Sequence, residues 1–411
     1  MNIVDNKSNG VRDKILQFPE GFIWGAGSSA YQIEGGLVND WSEWEKSKKR
    51  LVNLKARGLD PEEYISGQAC GSFEHWPEDI DCLRQINAKA YRFSVEWSRL
   101  EPVEGKYDAA GFDYYRRLIK SLRENNIEPF ITLWHWPLPL WLRDKGGLES
   151  GNFPDHFASF AAKVVAELGS DVKFWFTLNE PEVYSSHAFM VGDWPPQKKN
   201  PIAYYRVTRN LIKAHNAAYR AIKKIRPQAQ VGLVNQNVYF EAHKDRLVNR
   251  LLKAIADRWW NYYILDRVDK DFIGLNNYHH NRIDYGFNKN ENKVVSDFGW
   301  EIYPEAIYHV LKDLARYKLP IYIAESGVAD EADRYRKDFI VETLIWVHRA
   351  LAEGVNVRGY FYWSLTDNFE WAEGFTKKFG LFAVDRRTFV RTPRPSVRVY
   401  ADICRANQVR E

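Results

Sequence analysis

The sequence predicts an α/β chain closed into a (β/α)8 TIM barrel, and three observations carry that expectation. Eight short runs rich in β-branched and aromatic residues recur along the chain, amphipathic helical patterns separate them, and each run gives way to a polar or aromatic residue. The runs are nearly continuous apolar stretches, as parallel strands covered on both faces should be. A doubly wound open sheet with a second domain is the alternative. No low-complexity or Pro/Ser-rich hinge divides the 411 residues, so one domain over 1–411 is expected, with 1–17 as a loosely ordered N-terminal extension.

In chain order the expected strands are "GFIWGAG" (21–27), "AYRFSV" (90–95), "EPFITLWH" (128–135) and "KFWFTLN" (173–179). "AQVGLVN" (229–235), "DFIGLNNY" (271–278), "LPIYIAES" (319–326) and "VRGYFYWSL" (357–365) follow. Between them lie helical patterns such as "YDAAGFDYYRRLIKSLREN" (107–125), stopped by Asn125-Asn126. In "DRYRKDFIVETLIWVHRALAEG" (333–354), Phe339, Thr343, Trp346, Val347 and Ala350 fall at helical spacing, and Gly354 ends the run. "GDWPPQKKNP" (192–201) suits a loop after the fourth strand. Trp97 and Trp346 read as core.

Composition narrows the function classes. The chain holds 16 Trp, 23 Tyr and 23 Phe, an aromatic content that serves either a large core or a carbohydrate site, since sugar rings stack on aromatic faces. A net charge of +4 from 58 basic and 54 acidic residues argues against a nucleic-acid partner, and the one basic cluster, "KSKKR" (46–50), continues into no basic stripe. Cys70, Cys82 and Cys404 are odd in number and far apart, which fits neither a disulfide framework nor a zinc site. The N-terminus lacks an apolar leader and no run of 18 apolar residues occurs, so a cytoplasmic protein without a membrane partner is expected.

Barrel geometry directs the C-terminal ends of strands toward one site. There the sequence places Gln32, Arg92, His135, Asn179 with Glu180, Asn235, Tyr278, Glu325 and Trp363. "TLNEP" (177–181) and "IAESG" (323–327) each end an apolar strand on a glutamate followed by a breaker. Either glutamate alone could brace the rim; two facing each other across one barrel mouth suit glycoside hydrolysis, one as acid and the other as nucleophile or base. No metal cluster and no cofactor motif is found; His279-His280 is adjacent, so the two side chains should diverge on an extended chain. "WGAGSSAYQIEG" (24–35) does match G-x-G-x-x-A, but it runs into the Trp-rich "DWSEWEK" where a dinucleotide site needs a helix and then an acid closing a second strand.

From about Phe18 to Asp402 the chain resembles the family 1 glycoside hydrolases, the β-glucosidase and β-galactosidase family. "FPEGFIWGAGSSAYQIEGG", "YRFSVEWSR", "LWHWPLP", "TLNEP", "DFIGLNNY", "IAESG" and "YWSLTDNFEWAEGF" match its blocks in order. The resemblance implies a retaining, exo-acting β-glycosidase that needs no cofactor or metal and acts on small β-glycosides or short oligosaccharides. It implies Glu180 as acid/base and Glu325 as nucleophile, with Arg92 and Tyr278 bonded to the nucleophile and Asn179 on the sugar 2-hydroxyl. It implies Gln32, presented by a tight turn at the glycines of 24–35, His135, Trp136, Glu370, Trp371 and Phe379 as sugar-binding residues, and Trp363 as the floor under the ring. Relatives acting on 6-phosphorylated sugars usually carry a small hydroxyl residue where Glu370 stands, so an unphosphorylated substrate is implied; Lys377 and Lys378 are read as solvent-facing. Ser326, Pro137 and Asn277 depart from the usual family residues, and the stretch between Asn237 and Asp271 is short, which leaves the leaving-group preference open. A transglycosylating enzyme and a non-catalytic sugar-binding relative are the alternatives; the presence of both glutamates speaks against the latter.

Overall fold

The computed structural model describes residues 14–411. Eight parallel strands close a barrel: β1 (Ile23–Gly27), β2 (Ala90–Ser94), β3 (Glu128–Trp134), β4 (Phe174–Asn179), β5 (Gln230–Gln236), β6 (Phe272–Asn276), β7 (Ile321–Ser326) and β8 (Val357–Trp363). Each pairs with its successor, and β8 returns to β1 through Gly359↔Ile23 to Trp363↔Gly27. All eight expected strands are present, within a few residues of their expected bounds.

Two apolar layers explain why the barrel closes. Inside, Phe130, Phe174, Phe176, Phe272, Tyr322 and Phe361 fill the lower barrel, with the Phe130 and Phe174 rings stacked at 4.2 Å. These bulky rings require small partners. A Cβ on Gly25 would lie 2.4 Å from the Ala90 carbonyl oxygen and 2.8 Å from the Phe361 ring. Gly25 and Gly27 are therefore strand residues kept small by packing, not the tight turn the resemblance implied; neither has a positive φ. Gln32 instead sits on the helical turn Ala30–Ile33 that follows β1. Outside, amphipathic helices such as Ala109–Glu124 and Arg336–Ala352 cover the strands. Phe339, Thr343, Val347 and Ala350 are buried as expected, but Trp346 is only half-buried, because its helical position lies on the flank beside Tyr308 and Arg349.

The first and last described strands pair with each other. Ile15–Gln17, inside the span expected to be loosely ordered, forms a strand antiparallel to Gln408–Arg410; residues 1–13 lie outside the described residues. Tyr239–Ala242 and His280–Ile283 form a parallel pair over the short segment that follows β5. This pair and the loops after β4 and β8 build the walls above the strand ends.

Candidate active site

The strand ends converge on a cavity of about 640 Å³. His135, Trp136, Asn179, Glu180, Tyr278, Glu325, Trp363, Glu370, Trp371 and Phe379 all border it. Arg92, Gln32 and Asn235 do not. Arg92 is fully buried behind Glu325. Gln32 is also fully buried: its Oε1 accepts from Ser29 Oγ at 2.7 Å, and its Nε2 donates to Asn368, the Phe369 carbonyl and Glu370. Gln32 thus braces the loop that carries Glu370. Asn235 faces its own strand end, donating to Asn237 at 3.1 Å.

Both oxygens of Glu325 are engaged. Arg92 Nη1 donates to Oε1, and Tyr278 Oη donates to Oε2 at 2.5 Å. Burial and the nearby carboxylates push the Tyr278 hydroxyl well above its ordinary value, so it keeps its proton and remains a donor. Arg92 Nη2 also donates to Asn179 Oδ1 at 2.7 Å, and Asn179 Nδ2 donates to His135 Nε2 at 3.1 Å. Burial, then the Arg92 charge, holds His135 neutral. With Nε2 accepting, the assigned tautomer carries its proton on Nδ1, which has no protein partner.

Glu180 stands in the opposite setting. Burial first, then the Glu325 charge and Glu182, raises its carboxyl well above the carboxylate range. Its one side-chain donor is Asn276 Nδ2, at 2.7 Å from Oε1. Its backbone is left-handed (φ 42°) and is held by donation of its N–H to the Val234 carbonyl at 2.8 Å. Trp136 (φ 94°) and Trp371 (φ 50°), also on the cavity, share this region, which is unfavourable for bulky side chains and is maintained by the surrounding packing.

Aromatic rings wall the cavity. Trp371 packs on Trp136 at 4.4 Å and stacks on Tyr31 at 5.7 Å, while Trp194 meets Trp136 at 4.6 Å. Phe379 meets Tyr278 edge-on at 5.9 Å. Glu370 opens partly to the cavity, and burial with the Glu325 charge pushes its carboxyl up to about 8. Lys377 and Lys378 are half-buried, not solvent-facing; Lys377 donates to the Asp297 carbonyl at 2.7 Å, and neither borders the cavity. Among the described residues no three His, Cys, Asp or Glu gather as metal ligands would. His279 and His280 diverge, His279 toward Trp300 on the cavity and His280 between Glu241 and Glu301.

Several residues escaped the sequence reading. Asn276 was legible in principle: period-two alternation from Phe272 through Gly274 aims it inward. Trp194 belongs to the loop "GDWPPQKKNP", and Trp259, Trp260, Phe287 and Phe298 come from segments without strand periodicity. Nothing local marks them.

The chain matches known proteins over nearly its whole length. The family model described as glycosyl hydrolase family 1 matches residues 15–260 and 239–409. A 1,4-beta-D-glucan glucohydrolase of Thermotoga neapolitana is 33% identical, the alignment covering 95% of this chain and 99% of that protein. A β-glycosidase structure from Pyrococcus horikoshii superposes with a TM-score of 0.87 at 36% identity, covering 97% of both chains. A β-glucosidase from Thermotoga maritima in complex with glucoimidazole gives a TM-score of 0.88 at 30% identity, over 95% of this chain and 99% of that one.

Proposed function

Because the chain belongs to glycosyl hydrolase family 1 and is therefore a glycosidase, we propose that it removes terminal, non-reducing, unphosphorylated β-D-glucosyl residues by double displacement, with β-galactosides and β-fucosides as secondary substrates. The observation that carries this reading is the contrast between two carboxyls on one cavity. Glu325 accepts from Arg92 and Tyr278, whereas burial and the Glu325 charge keep Glu180 protonated.

In the first step a Glu325 oxygen attacks the anomeric carbon. The bond to the leaving oxygen breaks, and the Glu180 proton passes to that oxygen. Forming the ester consumes the Glu325 charge, which removes one cause of Glu180's raised pKa. Glu180, now a carboxylate, takes a proton from the water that attacks the anomeric carbon and frees Glu325. Two inversions retain the configuration. Arg92 and His135 orient Asn179, which in this reading meets the 2-hydroxyl, where a hydrogen bond strengthens as positive charge develops on the ring. Trp363 and Trp371 offer faces to the sugar, and Glu370 offers a polar contact to its outer hydroxyls.

Separable defects test the assignment. Glu325→Gly should abolish turnover of ordinary glycosides, and azide or formate should partly restore cleavage with inverted product. Glu180→Ala should slow poor leaving groups by roughly 10²–10⁴-fold and spare activated aryl glycosides. Equal loss on all substrates in both variants, without anion rescue, would remove the assignment. Proton NMR of the first-formed sugar checks retention.

A further inference from the structure

The helix Leu247–Ala256, in the segment that follows β5, carries apolar residues on both of its faces. Leu252 and Ala256 pack inward with Trp260 against Val238, Phe240 and Ile283. Leu247, Leu251 and Ile255, spaced four apart and so aligned along one stripe, point to solvent at 79%, 60% and 57% exposure. A helix on a globular surface normally turns polar residues outward, and an apolar stripe left in water marks a contact surface. Tyr285, 68% exposed, donates its backbone N–H to Asn249 of this helix at 2.8 Å, and the Arg246 guanidinium lies 4.8 Å over its ring. Phe287, two residues on, is 43% exposed and borders the active-site cavity, as Ala256 does. Exposed aromatic side chains thus stand beside the helix and at the cavity mouth.

Charge selects the partner. Residues 243–258 contain five Lys and Arg against two Asp. Lys244, Arg250 and Arg258 are exposed beside the stripe; Lys244 has no ion-pair partner among the described residues, and the exposed pairs Arg250–Asp245 and Arg258–Asp266 are weak enough to exchange. An amphipathic helix with outward Leu and Ile flanked by cations is built for the plane of an anionic bilayer, where apolar side chains enter the headgroup boundary and cations meet lipid phosphates. We propose that this face docks the protein on anionic lipid surfaces, with the cavity mouth beside the bilayer. A second copy of the chain would bring the same cationic stripe against itself, which like charges oppose. No helix among the described residues is long and apolar enough to cross a membrane, so docking is peripheral. The sequence expectation of no membrane partner rested on the missing 18-residue apolar run, which bears on crossing and not on docking. The proposal stands on surface chemistry and does not depend on the catalytic assignment.

Flotation with lipid vesicles tests it. The full chain should float with vesicles containing on the order of one-third anionic phospholipid at low salt, less with purely zwitterionic vesicles, and less again at high salt. The triple variant Leu247→Ser, Leu251→Ser, Ile255→Ser should lower the partition coefficient by about tenfold or more, with melting temperature and circular dichroism unchanged because the stripe packs on nothing. Lys244→Glu with Arg250→Glu should lose binding to anionic vesicles while keeping any residual binding to zwitterionic ones. Failure of the wild-type chain to float with anionic vesicles, or undiminished binding by the triple variant, would overturn the proposal. So would light scattering that finds a wild-type dimer made monomeric by the triple variant, which would assign the face to a second copy.

Discussion

At Glu180, burial and the Glu325 charge favour the protonated form, while the Asn276 amide donates to Oε1 and favours the anion. Asn276→Ala should therefore raise the Glu180 carboxyl further, and the alkaline limb of kcat/KM should move to higher pH. Loss of a hydrogen bond to a charged group should also lower kcat/KM by roughly tenfold or more. A pH–rate profile separates this from mere loosening, which would lower the rate without moving the limb. Glu370 supports a second prediction. Glu370→Ser should weaken turnover of plain β-glucosides by roughly ten- to hundredfold and shift the ratio toward 6-phosphorylated substrates. Burial and the Glu325 charge push the carboxyl up to about 8, so it carries more negative charge at pH 8.5 than at pH 6. Repulsion of phosphate needs the charge, so the shift in ratio should be larger at pH 8.5. Paired kinetics at the two pH values check this; an unchanged ratio at both would leave Glu370 as a brace for Trp371.

Among the elements, β1 shows how packing can imitate a motif. Its G-x-G spacing resembles a nucleotide-binding turn, yet Gly25 is small because the Phe361 ring and the Ala90 carbonyl occupy the place of a side chain. Gly25→Ala should cost about 1–3 kcal/mol through overpacking, read as a lower melting temperature, with KM little changed if the upper site keeps its shape. The eight strands were legible because fully buried parallel strands are apolar along their whole length, and that signal survives without a partner in view. The helix Leu247–Ala256 was not anticipated. Its outward Leu and Ile contradict the rule that places apolar residues inside, so only the folded chain reveals which stripe is exposed.

Across the whole molecule, the ends of the chain lock the barrel. Trp24 Nε1 donates to Asn407 Oδ1 at 2.8 Å, and Tyr400 Oη donates to the Gly25 carbonyl at 2.5 Å, so the C-terminal helix Ser396–Ala406 and its cap hold β1. We propose that the chain folds as one domain, and calorimetry should show one unfolding transition with no separable early melting of the C-terminal helix. NAD, FAD or ATP should leave that transition in place. A dinucleotide bound at a hundredfold excess over Kd would add about 2.7 kcal/mol of stability, a readily measured shift.

The sequence by itself determined the barrel and the family and put two glutamates at strand ends, because strand periodicity is local and each family block begins on or beside a strand. The family resemblance also implied that Arg92 and Tyr278 bond to Glu325, and the folded chain brings both to it. Tertiary structure alone decided the rest. Gln32 and Glu370 are 338 positions apart, and only folding makes one the brace of the other. Asn276 meets Glu180 from a different strand, and the environment that keeps one carboxyl protonated beside another is a sum over burial and charges from the whole barrel. Protonation state and exposure belong to the space around a residue, and that space is filled by residues distant in the chain.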